Sequence, residues 1–161
     1  MVLQEGTTNG TMDSKGRFQL PAAILREIPA EDEGRFVVNR SFEKCLTLYP
    51  IRYWTNYKAK LSQLNNYDPD MRRAIRYFTG SAAEVKLDSK NRLLIPQTLK
   101  EYACLEKDLL ISPMDEYIEI WNPRLYDEDM DDFGKTGKET IKELAKNLKD
   151  LKNGKSADDI S

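Results

Sequence analysis

Histidine is absent from all 161 residues. That removes the commonest general base, the commonest zinc ligand, and the Ser-His and Cys-His nucleophile pairs together. Cysteine occurs only twice, at Cys45 and Cys104, too few for a disulfide framework or an ordinary structural zinc site. The settings Lys44-Cys45-Leu46 and Ala103-Cys104-Leu105 predict small core thiols in a reducing cytoplasm. No apolar run approaches the roughly 18 residues of a membrane span, and Met1 to Gly6 lacks the basic and apolar regions of a signal peptide. No glycine-rich phosphate loop is present either. The expectation is a non-enzyme without cofactor, metal, membrane or small-molecule partner.

Excess charge of one sign is also missing. The chain carries 25 basic and 27 acidic residues, a net of −2. The imbalance is regional, since Tyr126 to Ser161 holds ten acids and seven lysines while the preceding body is close to neutral at +1. Any contact with nucleic acid must therefore come from local basic patches.

What the chain does have is one nonapeptide, twice. Asp13-Ser14-Lys15-Gly16-Arg17-Phe18-Gln19-Leu20-Pro21 returns 75 residues later as Asp88-Ser89-Lys90-Asn91-Arg92-Leu93-Leu94-Ile95-Pro96. Asp at the head of a turn accepts bonds from the following N–H groups, and Gly16 suits the position of positive φ. Asn91, in the matching place, is among the side chains most tolerant of that geometry. A β-hairpin is predicted at both sites, with Asp13, Gly16, Asp88 and Asn91 as loop-positioning residues. Each returning strand ends in proline, followed by a short helix (about 22–27 and 97–103) with Leu25 and Leu99 as inward residues. The runs 35–39 and 109–112 are β-prone. Short turns lead from them into strands 45–49 and 118–122, which end at Pro50 and Pro123. The repeat unit is strand, hairpin, strand, short helix, strand, hairpin, strand.

Between the repeats, Ile51, Trp54, Lys58, Leu61 and Leu64 define one helical face. A polar break at Asn65-Asn66-Tyr67 precedes a second helix capped by Asp68-Pro69. That helix is expected to bury Met71, Ala74, Ile75 and Phe78, to turn Arg72, Arg73 and Arg76 outward, and to close at Gly80. Trp54 and Trp121 read as core or interface anchors. Glu31 to Gly34 reads as a surface loop. The tail has an acidic run from Asp127 to Asp132, then an amphipathic helix over 140–151 with Ile141, Leu144, Leu148 and Leu151 on one stripe. Gly154 to Ser161 is expected to be disordered. The resulting division is a first repeat over 6–50, linker helices over 51–80, a second repeat over 81–125, and a tail over 126–161.

Two readings of the duplicated turn stand side by side. Lys15, Arg17, Lys90 and Arg92 are cations on rigid tips, suited to phosphate oxygens and to guanine O6 and N7. Alternatively, Asp13 with Arg17 and Asp88 with Arg92 merely pair within their own turns. Arg72, Arg73 and Arg76 could reach phosphate or, as favoured here, form a solvated face or pair with acids of a neighbouring subunit.

At these residues the chain resembles the MraZ family of bacterial transcriptional regulators, within the AbrB-like swapped-hairpin superfamily. The likeness rests on the two D-x-x-x-R-[apolar]-x-[apolar]-P repeats. It extends over Asn39 to Pro50, Arg76 to Ala82 and Glu119-Ile120-Trp121. The resemblance implies a mainly β fold with short helices (α+β), in which two swapped-hairpin repeats form one pseudo-two-fold β-barrel. It further implies ring-shaped homo-oligomers that bind tandem short repeats in double-stranded promoter DNA, upstream of a division and cell-wall gene cluster. The location implied is cytoplasmic and nucleoid-associated. In that family the D-x-x-x-R loops face DNA, which favours Lys15, Arg17, Lys90 and Arg92 as the contact residues. The departures are Asn91 in place of glycine and a polar first strand at Thr7 to Met12. The rival from another class is a structural or protein-partner oligomer without direct DNA readout.

Overall fold

The computed structural model describes residues 6–64 and 67–154. The expectations for the first residues, for Asn65-Asn66 and for the segment beyond Gly154 lie outside them. Residues up to Leu125 form one compact unit and those from Tyr126 a second.

In the first unit each repeat supplies four strands. The first gives β1 (Thr8–Thr11), β2 (Arg17–Gln19), β3 (Arg35–Arg40) and β4 (Leu46–Pro50), with the short helix α1 (Ala22–Leu25) after β2. Two longer helices, α2 (Ile51–Ser62) and α3 (Pro69–Thr79), lead on to β5 (Ala83–Lys86) and β6 (Arg92–Leu94). Helix α4 (Gln97–Tyr102), β7 (Asp108–Pro113) and β8 (Ile118–Trp121) complete the second repeat. The fold is α+β, as expected.

The strands pair across the repeats. One antiparallel sheet has the order β1-β7-β8-β4-β3-β5, and β2 and β6 form a separate ribbon. Exchanging the strands of one repeat for those of the other turns the six-strand order into its own reverse, which is the mark of a pseudo-two-fold axis. The ribbon agrees, because Arg17 pairs with Leu94, Gln19 with Arg92, and Phe18 with Leu93 on the axis. The expected hairpins are present as turns, closed by Asp13 N–H to the Arg17 carbonyl (2.8 Å) and Asp88 N–H to the Arg92 carbonyl (2.9 Å). Their arms then part. Beyond one bridge between Met12 and Phe18, β1 pairs with β7 of the other repeat and β5 with β3.

Alternation explains the layering. Phe18 and Leu93 point inward from the ribbon onto Phe36, Val38, Leu46, Leu48, Leu109, Ile111, Ile118 and Ile120 of the large sheet. The core is thus closed over by strands of both halves, although the sheet itself has free edges at β1 and β5. Proline precedes both short helices, with Pro21 and Pro96 in extended geometry at their N-caps. The inward residue of α1 is Ile24, not Leu25, which is half-buried. Ile24 is the true counterpart of buried Leu99, one position from the residue singled out by helical spacing.

Several other expectations change. Asp32 is buried rather than part of a surface loop, because it ends a short 3-10 turn and accepts from Arg52 Nε at 3.0 and 3.1 Å. Cys45 is buried but Cys104 is exposed, at φ 52° in the turn after α4. Pro123 is the first residue of a helix, and the strand before it ends at Trp121, with Asn122 accepting from Arg124 N–H at 2.9 Å.

Helix α2 lays Trp54 on the outer face of the large sheet against Val37 and Tyr49, with Tyr49 stacked on Tyr57 at 5.3 Å between ring centroids. Helix α3 is capped as foreseen, with Asp68 accepting from Asp70 N–H at 2.8 Å. Its apolar face is not buried, however. Met71 and Ala74 are exposed, Ile75 is half-buried beside a groove of about 760 Å³ between α2, α3 and the sheet, and Phe78 is half-buried against Phe42. In the second unit the acidic run is helical, within α5 (Pro123–Thr136), and α6 (Lys138–Lys152) carries the foreseen stripe, all four residues exposed. No helix among the described residues is long and apolar enough to cross a membrane.

Candidate nucleic-acid interface

Both duplicated turns are built the same way. Asp13 Oδ1 accepts from the backbone N–H of Lys15 (3.0 Å) and of Arg17 (2.9 Å), and its Oδ2 accepts from Arg17 Nε at 2.7 Å. Asp88 repeats this with Lys90 N–H, Arg92 N–H and Arg92 Nε, each at 2.9 Å. The Arg17 backbone N–H leads the effects that hold the Asp13 carboxyl below its ordinary value of 3.8, helped by the guanidinium and the Lys15 N–H. Asp88 is lowered in the same way, with the Arg92 backbone N–H first. Each carboxylate therefore stays charged and fixes its arginine through Nε, which leaves the Nη edge pointing away from the bond. Among the described residues no hydrogen bond engages those Nη atoms.

The left-handed positions are as the turn chemistry demands, with Gly16 at φ 87° and Asn91 at φ 58°. Their carbonyls tie each turn to the other repeat, since Ile95 N–H donates to Gly16 O at 2.9 Å and Leu20 N–H to Asn91 O at 3.2 Å. Lys15 and Lys90 stand exposed at the tips, and Arg17 and Arg92 sit half-buried at their bases. The four cations thus lie on one cross-linked pair of loops. Asp13 with Arg17 and Asp88 with Arg92 do pair within their turns, so that reading and a contact role are compatible: the carboxylate orients the cation.

The ribbon adds two residues that the sequence reading passed over. Gln19 and Leu94 are exposed on the face opposite Phe18 and Leu93, and they stand directly across from Arg92 and Arg17. Simple alternation about the two inward residues would have found them.

The Arg72, Arg73 and Arg76 cluster is exposed on α3 and belongs to neither turn; Arg73 Nη1 lies 3.6 Å from Asp70. Glu43, Cys45 and Glu119 bring their ligand-type atoms within 4.8 Å of one another. Glu43 accepts there from Ser41 Oγ and Glu119 from Trp121 Nε1, at 3.0 and 2.8 Å.

The whole-chain comparisons bear on this arrangement. The family model described as "MraZ protein, putative antitoxin-like" matches twice, over residues 3–77 and 78–145. The chain belongs to the MraZ family. The second match reaches 20 residues past Leu125 and takes in α5 and part of α6. Among MraZ relatives, the "Transcriptional regulator MraZ" of Cytophaga hutchinsonii is 41% identical over 121 residues, covering 75% of this chain and 80% of that protein. The protein of the same name from Acetivibrio thermocellus is 38% identical over 117 residues (73% and 79%). The one from Thermoanaerobacter sp. X514 is 32% identical over 146 residues (91% and 96%).

Proposed function

We propose that this chain is a sequence-specific DNA-binding transcriptional regulator whose contact residues are Lys15, Arg17, Lys90 and Arg92. The observation that carries this reading is the twice-built turn. Each aspartate spends its bonds on the loop's own N–H groups and on one arginine nitrogen, which holds a lysine and an arginine outward at both tips. The printed name of the relatives, transcriptional regulator, agrees with it.

One subunit offers only a modest patch on a near-neutral body, so the affinity comes from multiplicity. A ring of identical subunits would align successive tips with tandem promoter repeats, of the kind upstream of a division and cell-wall gene cluster. Such avidity exceeds single-site affinity by about 10²- to 10⁴-fold when spacing matches. The protein would then work on double-stranded DNA in the cytoplasm, at the nucleoid. The apolar surface left open on a single subunit supports self-association. Phe42 is 78% exposed and meets Phe78 of α3 at 4.8 Å, Met71 of that helix is exposed, and α6 shows its apolar stripe. Arg72, Arg73 and Arg76 lie on the same helix as Met71 and serve subunit contacts.

The test is a gel shift against the DNA upstream of the protein's own gene, with Arg17→Ala combined with Arg92→Ala. Loss of the shift with an intact oligomer supports the reading, and unchanged affinity refutes the site. The same open apolar surface also favours a second reading, a structural or partner-binding oligomer without DNA readout. On that reading the double variant breaks up the assembly in size-exclusion chromatography, whatever happens to DNA binding.

A further inference from the structure

A two-fold tip would read a palindrome and could sit on DNA in either direction. The tip of this chain is two-fold in its backbone but not in its side chains. On the outward face of the ribbon, Gln19 and Leu94 are symmetry mates, since each lies across from the arginine of the other repeat. One is an amide and the other an apolar residue that is 54% exposed. The helices behind the turns differ in the same sense. Lys100 of α4 and Leu25 of α1 are equivalent, as shown by their backbone N–H groups donating to Pro96 O at 3.0 Å and to Pro21 O at 3.1 Å.

Lys100 reaches the first turn. A Cβ built on Gly16 would lie 3.2 Å from Lys100 Nζ and 3.2 Å from the Ile95 carbonyl. A side chain at Gly16 would be crowded as well as strained in φ, and the close approach brings a cation against the loop of Lys15 and Arg17. The residue at the equivalent helix position of the first repeat is the apolar Leu25, half-buried against the core. The first turn thus has the Lys100 ammonium against it, and the two rows across the ribbon are Arg17 with Leu94 and Gln19 with Arg92.

We propose that Gln19, Leu94 and Lys100 give each subunit a direction on DNA. Each subunit then selects a non-palindromic site and sets it in one orientation. This inference rests on the DNA-binding reading above and extends it from the four cations to the face between them. A two-stranded ribbon fits the major groove, where a glutamine pairs with adenine N6 and N7 and an apolar side chain contacts the thymine methyl. Each arginine would take a guanine, with adenine favoured beside one and thymine beside the other. Lys100 adds a phosphate contact on one end alone, which orients the subunit along the strand.

The test is selection from a random 30-base-pair duplex pool by the full chain and by two variants made symmetric in opposite senses. One carries Gln19→Leu with Lys100→Leu, and the other Leu94→Gln with Leu25→Lys. The wild type is expected to enrich a non-palindromic motif. Each variant should move toward a palindrome, the first losing its adenine preference by about tenfold and the second its thymine preference by a similar factor. Should one variant fail to fold, as judged by its melting curve, the other still decides. A palindromic wild-type motif overturns the proposal, as do variants whose motifs stay as lopsided as the wild type's. If the wild type enriches nothing and binds no more DNA than the Arg17→Ala, Arg92→Ala protein, the DNA-binding reading itself fails and this inference goes with it.

Discussion

Replacing Lys15 and Lys90 together by alanine separates electrostatic anchoring from base readout. Among the described residues, each lysine is bound to the turn through its backbone N–H, which donates to the aspartate at 3.0 Å in one turn and 2.9 Å in the other. Alanine retains that N–H, so the turn keeps its shape and the change is loss of two cations. Counterion release gives a slope of log K against log salt of about −0.9 per phosphate contact. The double variant should flatten that slope by about 1.8 for each engaged subunit. Between 50 and 200 mM salt this amounts to a further loss of about twelvefold in wild-type affinity that the variant does not suffer. Fluorescence anisotropy on a duplex with a single site, titrated at four or five salt concentrations, reads the two slopes directly. Sequence preference should be unchanged, because a lysine on phosphate carries no base information. Parallel salt plots for variant and wild type would refute the placement of these side chains on the DNA backbone.

Other outcomes follow from the same geometry. Ile24→Ala should cost about 2–5 kcal/mol in urea denaturation, because Ile24 is fully packed, while Leu25→Ala costs less. Equal losses would contradict the assignment of the inward position. Gly16→Ala should destabilise by about 1 kcal/mol or more, since a side chain at φ 87° is strained and its Cβ meets the Ile95 carbonyl. Asn91→Gly, where the native φ already suits both residues, should change thermal stability little. Asp13 and Asp88 have native carboxyls held below 3.8. Their contribution is present above that unfolded value and is lost as pH falls through the lower native value. Carboxyl chemical shifts followed by NMR should titrate below pH 3.8 in the folded protein, and midpoints at or above it would contradict the three-bond arrangement at each carboxylate.

The sequence made the turns legible because their chemistry is local. Asp, then Gly or Asn, then Arg within five residues determines the bonds that close the loop on itself, while the ties of Gly16 and Asn91 to the other repeat are not local. The strands that follow were legible from β-branched runs and prolines. What escaped was everything set by partners distant in the chain. Asp32 looked like one of several loop acids, and only Arg52, 20 residues on, makes its burial tolerable. The acidic run after Leu125 had no structure assigned to it from its charges, and it is helical because Asn122 and Pro123 start the helix before the acids begin. Helical spacing predicted that α3 would bury Met71 and Ala74, but spacing identifies an apolar face without supplying what covers it. The partner of each hairpin arm was invisible for the same reason, because a strand's own residues do not say which strand lies beside it.

The exchange of strands has a consequence for how this protein comes to exist at all. The edge strand of each half is hydrogen-bonded into the other half, so the first repeat with its linker helices, before the second repeat is made, has no complete sheet to join. It must wait for β5 to β8, and long-range pairing of this kind folds slowly. Two separate copies of one half could in principle complete each other, but only as fast as they met in solution. The linker through α2 and α3 removes that dependence on concentration. It also releases a constraint, since two halves of one polypeptide can accumulate different substitutions while identical subunits cannot. Asn91 beside Gly16, and Leu25 beside Lys100, are differences that only a fused pair can hold.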